Sequence, residues 1–508
     1  MNIKKTFASL LFAALMLLSS CAAPSPVSPR AKTLQRDTVY PPAAGLLDPG
    51  AEVRGVWIAT VGNINFPSKK GLSEDKLRAE LDDIVKNCRE LGLNTIFFQV
   101  RPAADALYKS ELFPYSEFVS GKQGVAPDGG FDPLAYLLEI AHNSKINVHA
   151  WVNPLRVTYG SAKYPRTDIN ALAKGHPARE NPEWVIEYAD GKLYFDAGNP
   201  SVREYVASGV REIVSKYPVD GVVFDDYFYP YPVAGAEFDD SYSFSKWGSG
   251  NKPDWRRDNI NALVKGCFEA VKGANDKCLF GISPFGIWQN DDGANGGSDT
   301  RGLEAYESLY CDALAWVRGG YVDYISPQLY WSFDTEAAPY GELSDWWNSV
   351  LDGSGVKLLI SHGAYRYEEW EDPAGELAAQ IEYSREALTY RGSVLYGYEA
   401  IRNNASDIRG EIEKAFESEI IYSDPTSNFR SLELSGAEDG ARIETTGDIF
   451  VLSGSSDPTV PLAILGKKVN RGKDGEFSLV IDLGVGENTV EIEYGNRKIS
   501  FTVVRTEG

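Results

Sequence analysis

Cysteine, histidine and methionine are scarce in this chain, with 5, 4 and 2 residues among 508. Cys88, Cys267, Cys278 and Cys311 show no Cys-x-x-Cys spacing, and His142, His149, His176 and His362 are scattered. Buried reduced thiols, or at most one incidental disulfide, are expected, and no metal site. A G-x-S-x-G elbow, a P-loop and an H-E-x-x-H motif are also missing, which removes support for serine-hydrolase, nucleotide and zinc-protease chemistry. No cofactor is expected. The acidic loop at 290–299 (NDDGANGGSD) lacks the regular ligand spacing of a calcium loop. Positive charge is short too, since 50 Lys+Arg against 72 Asp+Glu leave a net charge of −22. Such a chain repels nucleic acid and anionic membrane surfaces, so neither is expected as a partner.

What the chain does carry begins at its start. Lys4 and Lys5 precede a short apolar run at 7–18, and Leu18-Ser-Ser-Cys21 follows. That order matches the lipobox of bacterial lipoproteins, in which the cysteine is lipidated after cleavage. Residues 1–21 are therefore expected to be a signal peptide, with Cys21 as the membrane anchor outside the cytoplasm. The apolar run is too short to span a bilayer. Residues 22–50, with Pro24, Pro26, Pro29, Pro41 and Pro42, read as a tether.

From 51 to 424 strand-like and helix-like segments alternate. Strands are expected at 53–60, 95–100, 147–153, 222–224, 278–284, 322–330, 357–362 and 393–398, with amphipathic stripes between them. Asp132-Pro133 and Asn199-Pro200 are helix-opening signals, a capping side chain followed by proline at the first helical position. Eight such strand–helix units predict a (β/α)8 TIM barrel within α/β architecture. A doubly wound sheet is disfavoured because no Gly-rich loop follows the first strand. Residues 425–508 carry only short alternating runs, with turn signals at Asp474-Gly475 and Gly495-Asn496. They are expected to form a small immunoglobulin-like β-sandwich.

The fourth strand ends in Phe224-Asp225-Asp226-Tyr227. In a parallel barrel the reactive groups gather where strands end. Period-two alternation puts Asp225 and Tyr227 on one side and Asp226 on the other, so one aspartate is expected in the mouth and Asp225 is favoured. The other strand ends add Gln99, Arg101 and Asp105, then Asn153 with Arg156 beyond, then Gln328, Tyr330 and Trp331, then His362, then Tyr398 and Glu399. A mouth of carboxylates, amides and aromatics suits a neutral polyhydroxylated ligand. Glycoside hydrolysis needs two carboxyl groups, one protonated and one ionised. Asp225 is the principal candidate, with Asp105, Asp226 or Glu399 as its partner. Arg101, Gln99, Asn153, Tyr227, Gln328, Tyr330, Trp331 and His362 are the candidate sugar-binding residues.

The runs R-G-V-W-I-A-T at 54–60, Q-V-R-P-A-A-D-A-L-Y-K-S at 99–110, W-V-N-P at 151–154, D-G-V-V-F-D-D-Y-F-Y-P at 220–230 and S-P-Q-L-Y-W at 326–331 resemble glycosyl-hydrolase-like family ten, bacterial barrel lipoproteins. The resemblance spans roughly 50–420. It implies cleavage of peptidoglycan glycan strands, particularly those stripped of stem peptides, and makes Asp225 a catalytic carboxylate. A weaker similarity to the family 18 chitinase signature aligns Asp220 and Asp225. Val223 and Tyr227 stand where that family has acids, which argues against its substrate-assisted chemistry. The rival expectation is a barrel that binds cell-wall glycan as a scaffold without cleaving it. An envelope-protein partner docking through the C-terminal unit is a further expectation.

Overall fold

The computed structural model describes residues 50–417, 420, 432–456, 461–469, 471, 475–494 and 497–506. Cys21, nearly all of the expected tether and the expected boundary at 424/425 lie outside the described residues. Within them, helices begin and end where the sequence carries stop and start chemistry. The first, α1 (Glu74–Glu90), follows Ser73, has Glu74 and Asp75 in its first turn, and buries Leu77, Leu81, Ile84, Val85 and Cys88. Acids there complement the helix dipole, and the 3.6-residue spacing gathers the apolar side chains on one face. Gly92, at φ 67°, takes the chain out of it. Helix α2 (Pro133–Asn143) opens on Asp132, whose side chain accepts from the Ala135 N–H, and α3 (Pro200–Lys216) opens on Asn199, which accepts from Ser201. Both cap-and-proline signals work as expected.

The strands are β1 (Val53–Ile58), β2 (Thr95–Arg101), β3 (Asn147–Val152), β4 (Gly221–Phe224), β5 (Leu279–Ile282), β6 (Tyr324–Ile325, resumed at Gln328–Leu329), β7 (Lys357–Gly363) and β8 (Tyr390–Tyr396). All pair in parallel with their sequence neighbours, and β8 returns to β1 with Gly392 opposite Val53, so the sheet closes into a barrel. The expected strand at 322–330 is interrupted at Pro327, which has no N–H to give a ladder. The last strand runs earlier than expected, and Tyr398 and Glu399 instead open a short helix, Tyr398–Arg402. Leu309, Tyr310, Ala313, Leu314 and Val317 have the spacing of one helical stripe, but it is broken. Tyr310 sits at φ 54°, and the helix resumes only over Ala313–Gly319 behind the Asp312 cap.

Inside the barrel Trp57, Phe97, Trp151, Val223, Tyr324, Leu359 and Val394 form one cluster, separate from the large layer between strands and helices. Ring centroids of Trp57 stand 4.7 Å from Phe97 and 5.0 Å from Trp151. The polar atoms among them are matched. Trp57 Nε1 donates to Ser361 Oγ at 3.2 Å, and His149 Nδ1 meets the Tyr324 hydroxyl at 2.8 Å. A filled barrel supports reactive groups only at its mouth.

Beyond the barrel lie a three-stranded and a five-stranded sheet, which share one hydrophobic cluster that includes Leu452, Phe477, Ile492 and Val503. Of the five short runs expected, those at 449–453, 477–481, 489–492 and 499–504 fall within these strands; of the run at 460–464, Leu462–Ile464 is a strand and residue 460 lies outside the described residues. Strands over Glu433–Ser435 and Arg442–Thr445 carry too few apolar residues to have been read from the sequence.

Close packing inside the barrel is testable at Gly281. A Cβ built there meets Tyr324 ring atoms at 2.1 Å, whereas one at Gly266 meets nothing within 4 Å. Gly281→Ala is expected to lose about 1–3 kcal/mol in urea denaturation. Gly266→Ala, inside a helix over Lys252–Ala274, is expected to gain roughly 0.5–1 kcal/mol. Equal stabilities would mean that the barrel interior is not filled as described.

Candidate active site

Parity along β4 carries Asp225 into the mouth, because Val223 two residues earlier belongs to the interior cluster. Asp225 is only 4 % exposed. Its Oδ2 accepts from Trp151 Nε1 at 2.9 Å and Asn153 Nδ2 at 2.5 Å, and its Oδ1 accepts from the Tyr227 N–H at 3.1 Å. Asn153 is held in turn. Its Oδ1 accepts from Gln99 Nε2 at 2.6 Å, and Gln99 Oε1 takes the N–H groups of Thr60 and Val61 at 2.8 and 2.9 Å. Four consecutive staves thus each give one link to a single chain of hydrogen bonds.

Asp226 departs from the expected alternation. The strand ends at Phe224 and its alternation carries no further than Asp225, so both aspartates line the same cavity. Asp226 is 3 % exposed, accepts from Gln328 Nε2 at 3.0 Å on Oδ1, and takes the Tyr231 hydroxyl on Oδ2. Burial pushes the Asp225 carboxyl up to about 6, the charge of Asp226 adds to that, and the Arg156 guanidinium opposes it. Burial also raises Asp226, against the pull of Tyr231 and Gln328. Two adjacent acids out of water titrate as a unit, and such a pair retains a proton near neutral pH more readily than a solvated one.

The cavity above them measures about 870 Å³. Its wall is rich in aromatic side chains, with Trp57, Trp151, Tyr227, Tyr330, Trp331 and Tyr396 among its residues. Tyr330 stacks on Tyr396 at 5.7 Å with 13° between planes, and Phe285 meets Trp331 edge-on at 5.6 Å. Flat apolar faces beside polar hydroxyls and amides suit sugar rings. Among the described residues, no group of three or more His, Cys, Asp or Glu is placed to hold a metal ion.

Residues 52–372 match the model of a family described as "Glycosyl hydrolase-like 10". The chain belongs to that family. It is 39 % identical over 383 residues to the glycosyl hydrolase YngK of Bacillus subtilis (strain 168), covering 74 % of this chain and 72 % of the relative. It is 34 % identical over 415 residues to the glycosyl hydrolase DigH of Escherichia coli (strain K12), covering 76 % and 91 %. Among solved structures it is similar to an endo-β-1,4-mannanase from Thermotoga petrophila, at 10 % identity and TM-score 0.46 over 90 % of this chain and 99 % of that one.

In this member of the family, Asp225, Asp226, Gln99, Asn153, Tyr227, Gln328, Tyr330 and Trp331 are brought together at the mouth, with Asn153 reaching Asp225 directly. Four other expected residues are not. Asp105 is buried in the loop after β2, where Gln123 donates to it at 3.0 Å, and it does not border the cavity; burial raises it to about 6. Arg101 makes no pair with Asp105. It turns out of the barrel, with its guanidinium 4.1 Å from the Phe113 ring centroid and tight against Gly209 of α3. His362 faces the helix layer, between Gln380 at 3.2 Å and Ser393 at 2.8 Å, and burial lowers it to about 4. Glu399 borders the cavity only at its rim, 51 % exposed and bound to Arg402 at 2.9 Å.

The sequence reading passed over several wall residues. Trp151 shares the parity of Asn153 and was recoverable by alternation. Tyr194 and Lys192 come from an antiparallel hairpin, Val185–Tyr188 with Lys192–Phe195, inside the long loop after β3. No periodicity in the sequence ties that hairpin to the mouth.

The raised carboxyl of Asp225 fixes a pH dependence. The folded protein holds a proton there between about 4 and 6 that the unfolded chain, with the group at its ordinary 3.8, has released. Stability from this group is therefore present below pH 4 and is lost as pH rises to 6. Comparing Asp225→Asn with wild type in denaturant, the difference is expected to move in favour of the variant by up to about 3 kcal/mol from pH 4 to pH 7. A difference independent of pH would show an ordinary carboxylate.

Proposed function

We propose that this protein is a glycoside hydrolase that cleaves the glycan strands of peptidoglycan, acting on strands that lack stem peptides. The observation that carries the reading is the buried Asp225–Asp226 pair under an aromatic cavity. Among the described cavity-lining residues the only other carboxyl is Glu399, which is tied to Arg402 at the rim. Asp225 is the principal carboxylate and Asp226 its partner. Between them one proton serves the departing glycosidic oxygen, while the remaining negative charge faces the positive charge that develops on the sugar; water then adds at the anomeric carbon and returns a proton to the pair. Tyr227, Tyr330 and Trp331 stack on and orient the rings, and Gln328 keeps Asp226 in place.

The substrate follows from several supports taken together. The sequence resembles barrel lipoproteins of the cell envelope, and the lipobox at Cys21 would tether the barrel there, within reach of the wall. The aromatic mouth matches a sugar polymer. The C-terminal sheets, two layers over one core, are read as an immunoglobulin-like sandwich that spaces the barrel from a wall or envelope partner.

Purified protein incubated with peptide-stripped glycan strands is expected to release shorter glycans, read by chromatography and mass spectrometry. Asp225→Asn is expected to lower kcat by about 10²–10⁴-fold while the protein still adsorbs to the polymer. Absence of products from both proteins, with both adsorbed, would leave a glycan-binding scaffold. The anchor is tested separately. Wild type is expected in the membrane fraction of the expressing cell with incorporated fatty acid, and Cys21→Ser in neither state. Equal partitioning of the two would remove the lipid anchor from the reading.

A further inference from the structure

The cavity is lined by three cationic side chains among the described residues, Arg156, Lys192 and Arg366. Two of them are already engaged. Lys192 pairs with Asp190 at 2.5 Å, and Arg366 with Glu369 at 2.7 Å. Arg156 differs. Its Nη1 donates to the Pro102 carbonyl at 3.2 Å, its guanidinium lies 4.7 Å from the Tyr227 ring centroid, and no described carboxylate comes within ion-pair distance. The side chain is nevertheless buried at 7 % exposure, and its backbone is bridged to Tyr194 of the hairpin. A guanidinium held largely out of water with no carboxylate in direct contact is costly, and its planar fork matches a carboxylate.

We propose that Arg156 binds a carboxylate borne by the substrate, the free lactyl carboxylate of the amino sugars in peptide-free glycan. The inference rests on the glycosidase reading above and assigns the residue that sets its substrate class. In strands that carry stem peptides this carboxyl is tied up as an amide. It then has no charge for Arg156 to meet, and the attached peptide adds bulk beside Tyr227. Preference for stripped strands becomes a property of one cation in the wall. Arg156 is a specificity residue, and the Asp225–Asp226 pair remains the chemistry. The rival role is an electrostatic one, in which Arg156 serves only to hold down the proton affinity of the two aspartates.

The two roles separate in one experiment. Wild type, Arg156→Gln and Arg156→Lys are assayed on peptide-stripped glycan and on the same glycan with its carboxyls converted to methylamides. Wild type is expected to prefer the acidic polymer, and Arg156→Gln to lose about 10–100-fold in kcat/KM on it, chiefly through KM. The loss on the amidated polymer is expected to be much smaller, so that the preference collapses, and Arg156→Lys restores part of it. Equal losses on both polymers, or a displaced pH profile with the preference intact, would overturn the proposal in favour of the electrostatic role. If wild type cleaves neither polymer, the glycosidase reading fails, and retention of Asp225→Asn with and without Arg156→Gln on the two immobilised polymers decides the recognition alone. Weaker retention of the double variant on the acidic polymer only supports it; equal retention of both proteins overturns it.

Discussion

The orientation of two side-chain amides governs the mouth of this barrel. Gln99 Oε1 accepts two backbone N–H groups from the segment after β1, so its Nε2 must face Asn153. Asn153 Oδ1 accepts that N–H, which leaves its Nδ2 to face Asp225. With Trp151 Nε1 on the same oxygen, Asp225 Oδ2 is an acceptor twice over. A proton carried by Asp225 therefore sits on Oδ1. Relative position of the first four staves is thereby translated into the protonation geometry of one acid. Removing any link would leave a buried polar group unmatched, at a cost of about 1–3 kcal/mol.

The remainder of the site answers the cost of burying two adjacent carboxyls. Each is 4 % exposed or less, which drives the proton affinity of both upward. Further donors keep the charged form accessible: Gln328 from β6 and the Tyr231 hydroxyl for Asp226, with the backbone of Tyr227 for Asp225. A pair suspended between these tendencies can both give and hold a proton near neutral pH, which a solvated aspartate at its ordinary value does poorly. The barrel interior contributes rigidity. Trp151 is at once a donor to Asp225 and a ring packed on Trp57.

The sequence made the barrel legible because its signals are local. Cap-and-proline pairs, 3.6-residue stripes and short apolar runs repeat in order, and each acts within a few residues. Asp225 was legible for the same reason, through the parity of Val223. Asp226 was misassigned because parity holds only while the strand continues, and β4 stops at Phe224. Arg101 and His362 share a different failure. Each lies at a strand end. His362 has the parity of Ile360, which faces the helices, whereas Arg101 has the inward parity of Phe97 and is turned out by a register shift between Gln99 and Arg101 in the pairing with β3. Lys192 and Tyr194 reach the wall through a tertiary fold of a long loop, which no spacing rule reports.

Arg156 ties the recognition of substrate to the state of the acids. In the free protein its charge opposes burial and lowers the proton affinity of Asp225 and Asp226. A carboxylate seated on Arg156 would cancel much of that field and add its own negative charge nearby. Both changes favour the protonated form of the pair. An acidic sugar would thus raise the proton affinity of the carboxyls that the proposed reaction needs as its proton source. An amidated sugar leaves Arg156 uncompensated and the pair more fully ionised. Selectivity and acid strength in this site would then be two readings of one electrostatic balance, set by a guanidinium that the fold buries without a carboxylate in contact.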